Sequence, residues 1–352
     1  MNIHLLARLC ETPGVPGRED RVRALIASEV EGLFDEVRTD ALGSLICHRA
    51  PRPAGRGGRD PVRVMLLCHM DEIGFLVSHI DDKGFVRLDG VGGFDTRNLF
   101  SRRVLVCTDS GDLRGVMNAG GRPVHIASEE DKKKVPEVKE FFVDLGLPAD
   151  RVRELVRIGD FVVPDEPLVE VGDKIVSKAL DDRIACWLAI ESLRQLDASG
   201  SGHACDITVA FTVQEEVGLR GARAAAFAVR PDIGLGLDVT LSCDTPDVPE
   251  HEAVTRQGKG FGLHVKDASF IADKRLVEEI EALAVERGIP YQRTILARGG
   301  QDGAAAQQAA AGARAVGIVV GTRYIHTVTE MVHKSDLEAA RDIVAAYLQT
   351  VG

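Results

Sequence analysis

Acidic and histidine side chains cluster at the predicted ends of strands and starts of helices in this 352-residue chain. In open α/β sheets, ligands collect beyond the carboxyl ends of the strands, so residues that directly follow apolar runs are candidates for a site. Any one of them is weak evidence, but one sheet edge would bring all of them together. The candidates are His69, Asp71, Asp181, Asp182, Glu215, Glu216, Asp238 and His326.

The side-chain chemistry of these residues indicates a metal site. Two imidazoles with three or more carboxylates, and no cysteine, suit a borderline divalent metal, with zinc first and cobalt or manganese as alternatives. A carboxylate can bridge two ions, and two ions roughly 3.5–4 Å apart can activate a water and stabilise a tetrahedral intermediate. We therefore expect two divalent metal ions per subunit. One would be held by His69 and Asp238, the other by Glu216 and His326, with a carboxylate of the Asp181–Asp182 pair between them.

Two further acids can assist such a site. His69 and Asp71 are two residues apart, so in an extended segment their side chains point the same way. Asp71 is then predicted to accept from the free ring nitrogen of His69 and to fix its tautomer. Glu215 stands beside Glu216 at a strand-to-turn junction, which leaves one carboxylate free to act as a general base. The competing interpretation of Asp182, just ahead of a predicted helix, is an ordinary N-cap.

Helix and strand patterns alternate in the second half of the chain, which favours a mostly parallel sheet sandwiched by helices. The last predicted helix would be opened by a capping box of Ser335 and Glu338. Helical spacing of apolar residues predicts helices over about 19–34, 184–196, 276–286 and 335–349. Apolar, β-branched runs predict strands over about 61–68, 207–213, 232–237 and 315–320.

The sequence pattern changes between residues 71 and 163. Short β-like runs between Gly and Asp turns replace the helical patterns there, as in GFLVSHI (74–80) and RRVLVCT (102–108). A chain of this length also favours two domains over one. We expect one discontinuous domain, 1–70 and 164–352, with an inserted β-rich domain, 71–163. The Gly- and Arg-rich stretch 52–63 is predicted to be a surface loop.

Composition narrows the classes of function and partner. The formal charge of −11 argues against a nucleic-acid partner, because such proteins need a basic face. Seven cysteines without a C-x-x-C pair are typical of free thiols in a reducing compartment. The first ten residues do not resemble a signal peptide, and no apolar run approaches about 18 residues, so we expect a cytoplasmic protein without a membrane partner.

Six segments resemble the M42 family of metallo-aminopeptidases, the glutamyl aminopeptidase group. They occur in the family's order along nearly the whole chain, and an ordered chance match of all six is not credible. The segments are CHMDEIGF (68–75), GVGGFDTR (90–97), KALDDR (178–183), FTVQEEVGLRGA (211–222), GLDVT (236–240) and RYIHTVTEM (323–331).

The resemblance assigns a role to each candidate residue. It implies that His69 and Asp238 are terminal ligands of one ion, and that Glu216 and His326 are terminal ligands of the other. It selects Asp181 over Asp182 as the bridging ligand, a choice that spacing alone does not make. It further implies that Glu215 is the catalytic base and that Asp71 orients His69.

The resemblance also implies an architecture and an assembly. The fold would be a phosphorylase/hydrolase-like α/β sandwich, in which 1–70 and 164–352 form the catalytic metallopeptidase domain. The insert, 71–163, would be a small β-barrel that serves in dimerisation or as a lid. A homo-oligomer is expected, with dimers that assemble into a tetrahedral dodecamer.

We therefore expect an aminopeptidase that releases the N-terminal residue of short peptides through a water activated by two metal ions. A related N-acyl deacetylase or carboxypeptidase remains open, and an endoglucanase-type glycoside hydrolase is disfavoured because histidine ligands do nothing for that chemistry. Gln301 stands where the family often has threonine, and Gly321 where it often has proline. These departures leave the ligand set intact but put the preferred N-terminal residue in doubt.

Overall fold

The computed structural model describes residues 1–52 and 60–352. The surface loop predicted at 52–63 lies mostly outside the described residues. The helices are α1 Ile3–Glu11, α2 Asp20–Glu29, α3 Ala149–Leu155, α4 Leu180–Ser199, α5 Arg220–Val229, α6 Lys274–Arg287, α7 Gly303–Gln308 and α8 Lys334–Thr350. The strands are β1 Glu36–Thr39, β2 Leu45–Arg49, β3 Arg63–His69, β4 Gly74–Ile80, β5 Val86–Val91, β6 Arg102–Thr108, β7 Gly111–Ala119, β8 Phe141–Asp144, β9 Phe161–Pro164, β10 Val169–Val171, β11 Lys174–Ser177, β12 Asp206–Thr212, β13 Ile233–Leu241, β14 Phe261–Lys266, β15 Tyr291–Ile295, β16 Arg314–Arg323 and β17 Glu330–His333.

Eleven strands form one mixed sheet, whose main path is β1-β2-β12-β3-β13-β16-β17-β11-β10. The four central strands, β12, β3, β13 and β16, run parallel to one another. The flanking pairs on the main path are antiparallel, and β14 joins β16 antiparallel and β15 parallel. Because the central strands are parallel, their carboxyl ends share one edge, where His69 is opposite Thr212. The predicted α/β fold is confirmed.

Both faces of the central strands are buried, which explains why β3 reads as a continuous apolar run. Val64, Leu66 and Cys68 join the larger core, which also includes residues of α4 and α8. Met65 and Leu67 face the other way and pack with alanines of α5 and α7. Trp187 of α4 is fully buried in the larger core. Small side chains on the α5–α7 side let those helices approach the sheet closely.

The segment between β3 and β11 contains a closed barrel of six strands, β4-β5-β8-β7-β6-β9. Its interior is apolar and includes Phe75, Val86 and Val104. The ring of Phe75 stacks on Phe94 with centroids 4.5 Å apart. The chain leaves the large sheet after His69 and returns to it after Pro164. The expected inserted small barrel is confirmed.

Some predicted element boundaries are wrong. Helix α8 begins at Lys334, and its N-cap is His333, whose Nδ1 accepts from the Ser335 N–H at 3.2 Å, so the predicted capping box does not form. Helix α2 ends at Glu29, well short of residue 34. All seven cysteines are free thiols, as predicted. No helix within the described residues is long and apolar enough to cross a membrane.

Candidate metal centre

All of the predicted site residues meet at the carboxyl edge of the parallel strands. His69 ends β3 and Asp238 lies within β13. Glu215 and Glu216 occupy the turn after β12, and Asp181 lies where α4 begins. Short interatomic distances connect each of them to at least one other member. His326 lies in the turn between β16 and β17, Asp182 follows Asp181, and Asp71 comes two residues after His69.

The carboxylate of Asp181 lies between the two imidazoles. Its Oδ1 is 3.2 Å from Nε2 of His69, and its Oδ2 is 3.3 Å from Nε2 of His326. Nε2 of His326 is also 3.2 Å from Oε1 of Glu216. Ligand atoms about 2.1 Å from a tetrahedral zinc ion lie about 3.4 Å apart. These separations therefore match ligands that share a metal, with one oxygen of Asp181 directed to each histidine.

Asp182 adds a carboxylate on the His69 side of the centre. His69, Asp182 and Asp238 each offer an atom within 4.8 Å of the others. Oδ1 of Asp182 accepts from the Ala185 N–H at 3.1 Å, and because Asp181 and Asp182 have non-helical φ and ψ, this contact caps the regular part of α4 as expected from the sequence. Its Oδ2 lies 4.0 Å from Nε2 of His69. Asp182 therefore combines a cap with a position beside a candidate ligand, whereas Asp181 spans both histidines.

Asp71 holds the neighbouring turn as well as His69. Nδ1 of His69 is 3.0 Å from the main-chain carbonyl oxygen of Asp71 and 3.6 Å from its carboxylate, so the closer acceptor differs from the one that we expected. The carboxylate accepts from the N–H groups of Glu215 and Glu216, both at 3.0 Å. A left-handed φ of 57° at Gln214 turns the backbone after β12 and presents these N–H groups to Asp71.

Several buried oxygens of the cluster lack partners. Oδ2 of Asp238 and Oδ2 of Asp182 make no hydrogen bond within the part of the chain that the structure describes, and Oε1 of Glu216 has only the His326 ring beside it, at 3.2 Å. Burying an ionised oxygen without a partner is costly, so such groups usually bind a cation. The donors are carboxylates and imidazoles, the ligands that zinc, cobalt and manganese accept. The residues therefore fit a divalent metal centre.

Burial and mutual repulsion shift the pKa values of the acids. Burial is the main cause that raises the pKa of Glu215, Glu216 and Asp238, and neighbouring carboxylates add to it. The pKa of Asp181 is lowered despite burial, because it accepts hydrogen bonds from His326 and His69. A raised pKa at Glu215 suits a group that must take and return a proton.

Both histidines hold their protons strongly when only protein surrounds them. Burial alone would lower the pKa of His326, but Asp181 and Glu216 raise it to about 11. The pKa of His69 is likewise raised well above its usual value, because contacts with Asp181 and Asp71 outweigh burial. A metal ion must displace these protons, since only neutral imidazole is a ligand.

A narrow cleft opens beside Asp181 and His326, between the sheet edge and the barrel. Phe94 and Leu99, from the segment between β5 and β6, line it together with Val328. The barrel therefore contributes part of the wall next to the candidate centre. The cleft has only about 30 Å³ of free space, room for about one water molecule, and lies between these apolar side chains and the acidic cluster.

Sequence reasoning missed several polar residues that support the site. Glu330 accepts from the main chain of Asp181 and His326, and Asp302 accepts from the Thr212 hydroxyl. Glu330 lies in the segment RYIHTVTEM that carries the resemblance, and Asp302 follows Gln301 in the segment already noted for its departure. Two signals in the sequence could have identified them. Glu330 is an acid four residues after the candidate ligand His326, and Asp302 is an acid next to the unusual residue Gln301.

Gln301 and Gly321, the two residues that differ from those common in the resembled family, lie away from the cleft beside Asp181. Gln301 is 2% exposed and packs between Gly236 and Gly317, where an added Cβ would clash with its amide. Gly321 packs against Thr255. Neither Gln301 nor Gly321 lines that cleft. Gln301 can still act on the site indirectly, because Asp302 follows it at the start of α7.

Comparison with known proteins places this arrangement in a family. The sequence profile of the M42 glutamyl aminopeptidase family matches residues 53–343. A lysyl aminopeptidase of Pyrococcus furiosus is 31% identical over 353 residues, covering 98% of this chain and 96% of the relative.

Comparison with solved structures supports the same family assignment. A TET aminopeptidase from the marine sediment archaeon Thaumarchaeota archaeon SCGC AB-539-E09 superposes with a TM-score of 0.92 at 33% identity, covering 99% of this chain and 96% of that one. The TET1 peptidase of Pyrococcus horikoshii, which can assemble into a tetrahedron or a large octahedral shell, gives a TM-score of 0.85 at 30% identity, with 98% of each chain covered. The chain described here belongs to the M42 family of glutamyl aminopeptidases and is an aminopeptidase, a hydrolase of peptide bonds.

Proposed function

We propose that the chain binds two divalent ions, zinc first and cobalt or manganese as alternatives, at the cluster around Asp181. The observation that carries the proposal is the pair of contacts from one carboxylate to two histidines, 3.2 and 3.3 Å long. Asp181 would bridge the ions. His69 and Asp238 would complete one set of ligands, and Glu216 and His326 the other. Divalent ions bound there would lower the pKa of a water molecule and polarise the scissile carbonyl.

Glu215 is the proposed catalytic base. Its side chain is 11% exposed, so it faces the site from a nearly buried position, and its Oε2 lies 3.9 Å from Nε2 of His69. Its raised pKa lets it take a proton from the attacking water and deliver it to the leaving amine. Asp71 positions both the base and its neighbour Glu216 through their main-chain N–H groups.

The proposed substrates are short peptides with a free α-amine. A neutral α-amine can donate its lone pair to a proposed metal ion, whereas the nitrogen of an N-acyl group cannot, because its lone pair is delocalised into the carbonyl. The apolar wall of Phe94, Leu99 and Val328 would contact the side chain or backbone next to the scissile bond. The requirement for a substrate with a free α-amine distinguishes the proposed aminopeptidase from a deacetylase.

We also propose the domain arrangement, the assembly and the compartment. Residues 1–70 and 164–352 would form the catalytic domain, and 71–163 an insert that serves in dimerisation and walls the cleft. The TET1 peptidase of Pyrococcus horikoshii can assemble into a tetrahedron or a large octahedral shell, which supports a homo-oligomer built from dimers, with a tetrahedral dodecamer as the proposed form. Free cysteines throughout the chain support a cytoplasmic location.

One assay tests the activity. Metal-free protein would be loaded with zinc, cobalt or manganese and given aminoacyl anilides together with their N-acetylated counterparts. We expect release only from the free-amine series, loss of release on adding chelator, and recovery on restoring the metal. Hydrolysis confined to the acetylated series would support the deacetylase instead, and activity that resists chelation would refute the metal centre.

A further inference from the structure

One buried carboxylate outside the ligand set contacts the main chain of two proposed ligands at once. Glu330 begins β17 and is 2% exposed. Its Oε2 accepts from the N–H of Asp181 at 3.0 Å, and its Oε1 accepts from the N–H of His326 at 2.7 Å. Asp181 and His326 are 145 residues apart in sequence, so the Glu330 side chain joins two segments that no helix or strand ladder connects directly.

The backbone at both contacts is irregular, so these N–H groups need such a partner. Asp181 is at the amino end of α4, where helical N–H groups have no acceptor within the helix, and its φ and ψ of −81° and 103° are not helical. His326 has a left-handed φ of 63°, which costs a non-glycine residue free energy. An acceptor with two oxygens offsets part of this cost, because each N–H group would otherwise be a buried donor without a partner.

β17 holds Glu330 in place. Glu330 pairs with Ser177 of β11, four residues ahead of Asp181, and Met331 pairs with Arg323 of β16, three residues ahead of His326. The same strand therefore fixes the starting points of both ligand-bearing turns. Both carboxylate oxygens of Glu330 are used by N–H groups, so the residue acts on the ligands rather than as one of them.

On the opposite side of the site, Asp71 also accepts from two main-chain N–H groups, as Glu330 does. The two oxygens of Asp71 accept from the N–H groups of Glu215 and Glu216. We propose that Glu330 is a positioning residue that sets the spacing of the bridging ligand Asp181 from His326, and thereby the affinity of the metal ion that these two residues share with Glu216. This inference rests on the proposed two-ion centre and adds to it a residue that determines its geometry.

The test is metal affinity in Glu330→Gln, measured by titrating metal-free protein with Zn²⁺ or Co²⁺ against a chelating indicator. Glutamine keeps the shape but has one oxygen, so its NH₂ group faces an N–H donor. Outer contacts of this kind typically change metal affinity by about 10–100-fold, and we expect a loss of that size for one ion. The Co²⁺ absorption spectrum should change, and kcat should fall with KM unchanged at saturating metal.

Asp336→Asn is the matched control. Asp336 is 1% exposed and also accepts from two main-chain N–H groups, those of Gly258 and Gly260, but it contacts no proposed ligand. Asp336→Asn should alter thermal stability without altering metal affinity. If Glu330→Gln does not fold, Glu330→Asp replaces it, because the shorter side chain reaches only one of the two N–H groups.

Wild-type metal affinity in whichever Glu330 variant folds would overturn the proposal. An equal loss of affinity in Asp336→Asn would also overturn it, since a general loss of stability would then explain the effect. Failure of the wild-type protein to bind metal would instead refute the proposed centre itself.

Discussion

Glu215 and Glu216 are adjacent residues, yet their surroundings separate their roles. Oε1 of Glu216 lies 3.2 Å from the His326 ring, while Glu215 faces His69 at 3.9 Å and is the spare carboxylate. We predict that Glu215→Gln keeps its metal but loses about 10²–10⁴-fold in kcat, the usual contribution of a general base. Glu216→Gln should lose metal instead. Steady-state kinetics with elemental analysis checks both, and near-wild-type turnover in Glu215→Gln would remove it from the mechanism.

The raised pKa values of the two histidines predict that metal binding releases protons. Near pH 7, His326 is protonated in the metal-free protein, because Asp181 and Glu216 raise its pKa to about 11, and the pKa of His69 is raised in the same direction by Asp181 and Asp71. Binding requires the neutral rings, so at least the proton of His326 should be released per site. Calorimetric titration in buffers of different ionisation enthalpy measures the number. Release of none would mean that the histidines are not ligands.

At the residue scale, the sequence was informative where a polar residue follows an apolar strand. That rule located His69, Glu216 and Asp238 because the ends of parallel strands share an edge. It could not identify the contact through the Asp71 carbonyl oxygen, since any residue supplies that group. It also missed Glu330, whose role depends on two main-chain N–H groups and on a strand pairing that sequence alone does not specify.

At the element scale, a buried ion pair joins the start of the insert to the segment ahead of α4. Nζ of Lys178 lies 2.8 and 2.7 Å from the two carboxylate oxygens of Glu72, and the side chains are 4% and 3% exposed. Arg183 also approaches Glu72, at 3.5 Å. The pair fixes the chain between β3 and β4 against the segment that leads into Asp181.

Removing that buried cation should be costly. Lys178→Met leaves the Glu72 carboxylate with the Gly14 N–H at 3.3 Å and the longer Arg183 contact, and breaking a buried pair typically costs about 3–5 kcal/mol. The matched control is Lys132→Met, because Lys132 pairs with Glu129 at the surface, where such pairs contribute about 0–1 kcal/mol. Thermal unfolding compares the two variants. Equal shifts of the unfolding midpoint would contradict the structural role of the buried pair.

Element boundaries were predicted less well than element types. Strands β3, β12 and β16 are buried on both faces, so each is a continuous apolar run that is easy to recognise in the sequence. Helix α5 was not predicted because it is only ten residues long and packs on the sheet through small alanine side chains, with few large apolar residues to mark it. The start of α8 was misplaced because His333, an uncommon cap, supplies the acceptor that the sequence suggested for Ser335.

At the scale of the whole molecule, the insert exposes large apolar side chains that suit a subunit interface. Val124 and Ile126, in the segment between β7 and β8, are 66% and 69% exposed. We predict that Ile126→Asp breaks the assembly into smaller species, because burying an unpaired carboxylate in an interface is unfavourable. Val285→Asp, at a 68% exposed position on α6, is the control and should leave the assembly intact. Native mass spectrometry gives the oligomeric state.

The opposite result would contradict a contact role for the insert. An intact assembly in Ile126→Asp, with dissociation in Val285→Asp, would move the interface to the α/β domain. A wild-type protein that remains a 37.9 kDa monomer would exclude the proposed shell altogether.

Asp181, and not its neighbour Asp182, is the proposed bridge between the two ions. Only Asp181 directs one oxygen to each histidine, while Asp182 uses Oδ1 as a helix cap. Metal content per subunit in Asp181→Ala and Asp182→Ala, determined by elemental analysis after equilibration with zinc, tests the claim most directly. We predict two ions in the wild type, none in Asp181→Ala and two in Asp182→Ala. Full metal content in Asp181→Ala, or its loss in Asp182→Ala alone, would contradict the account.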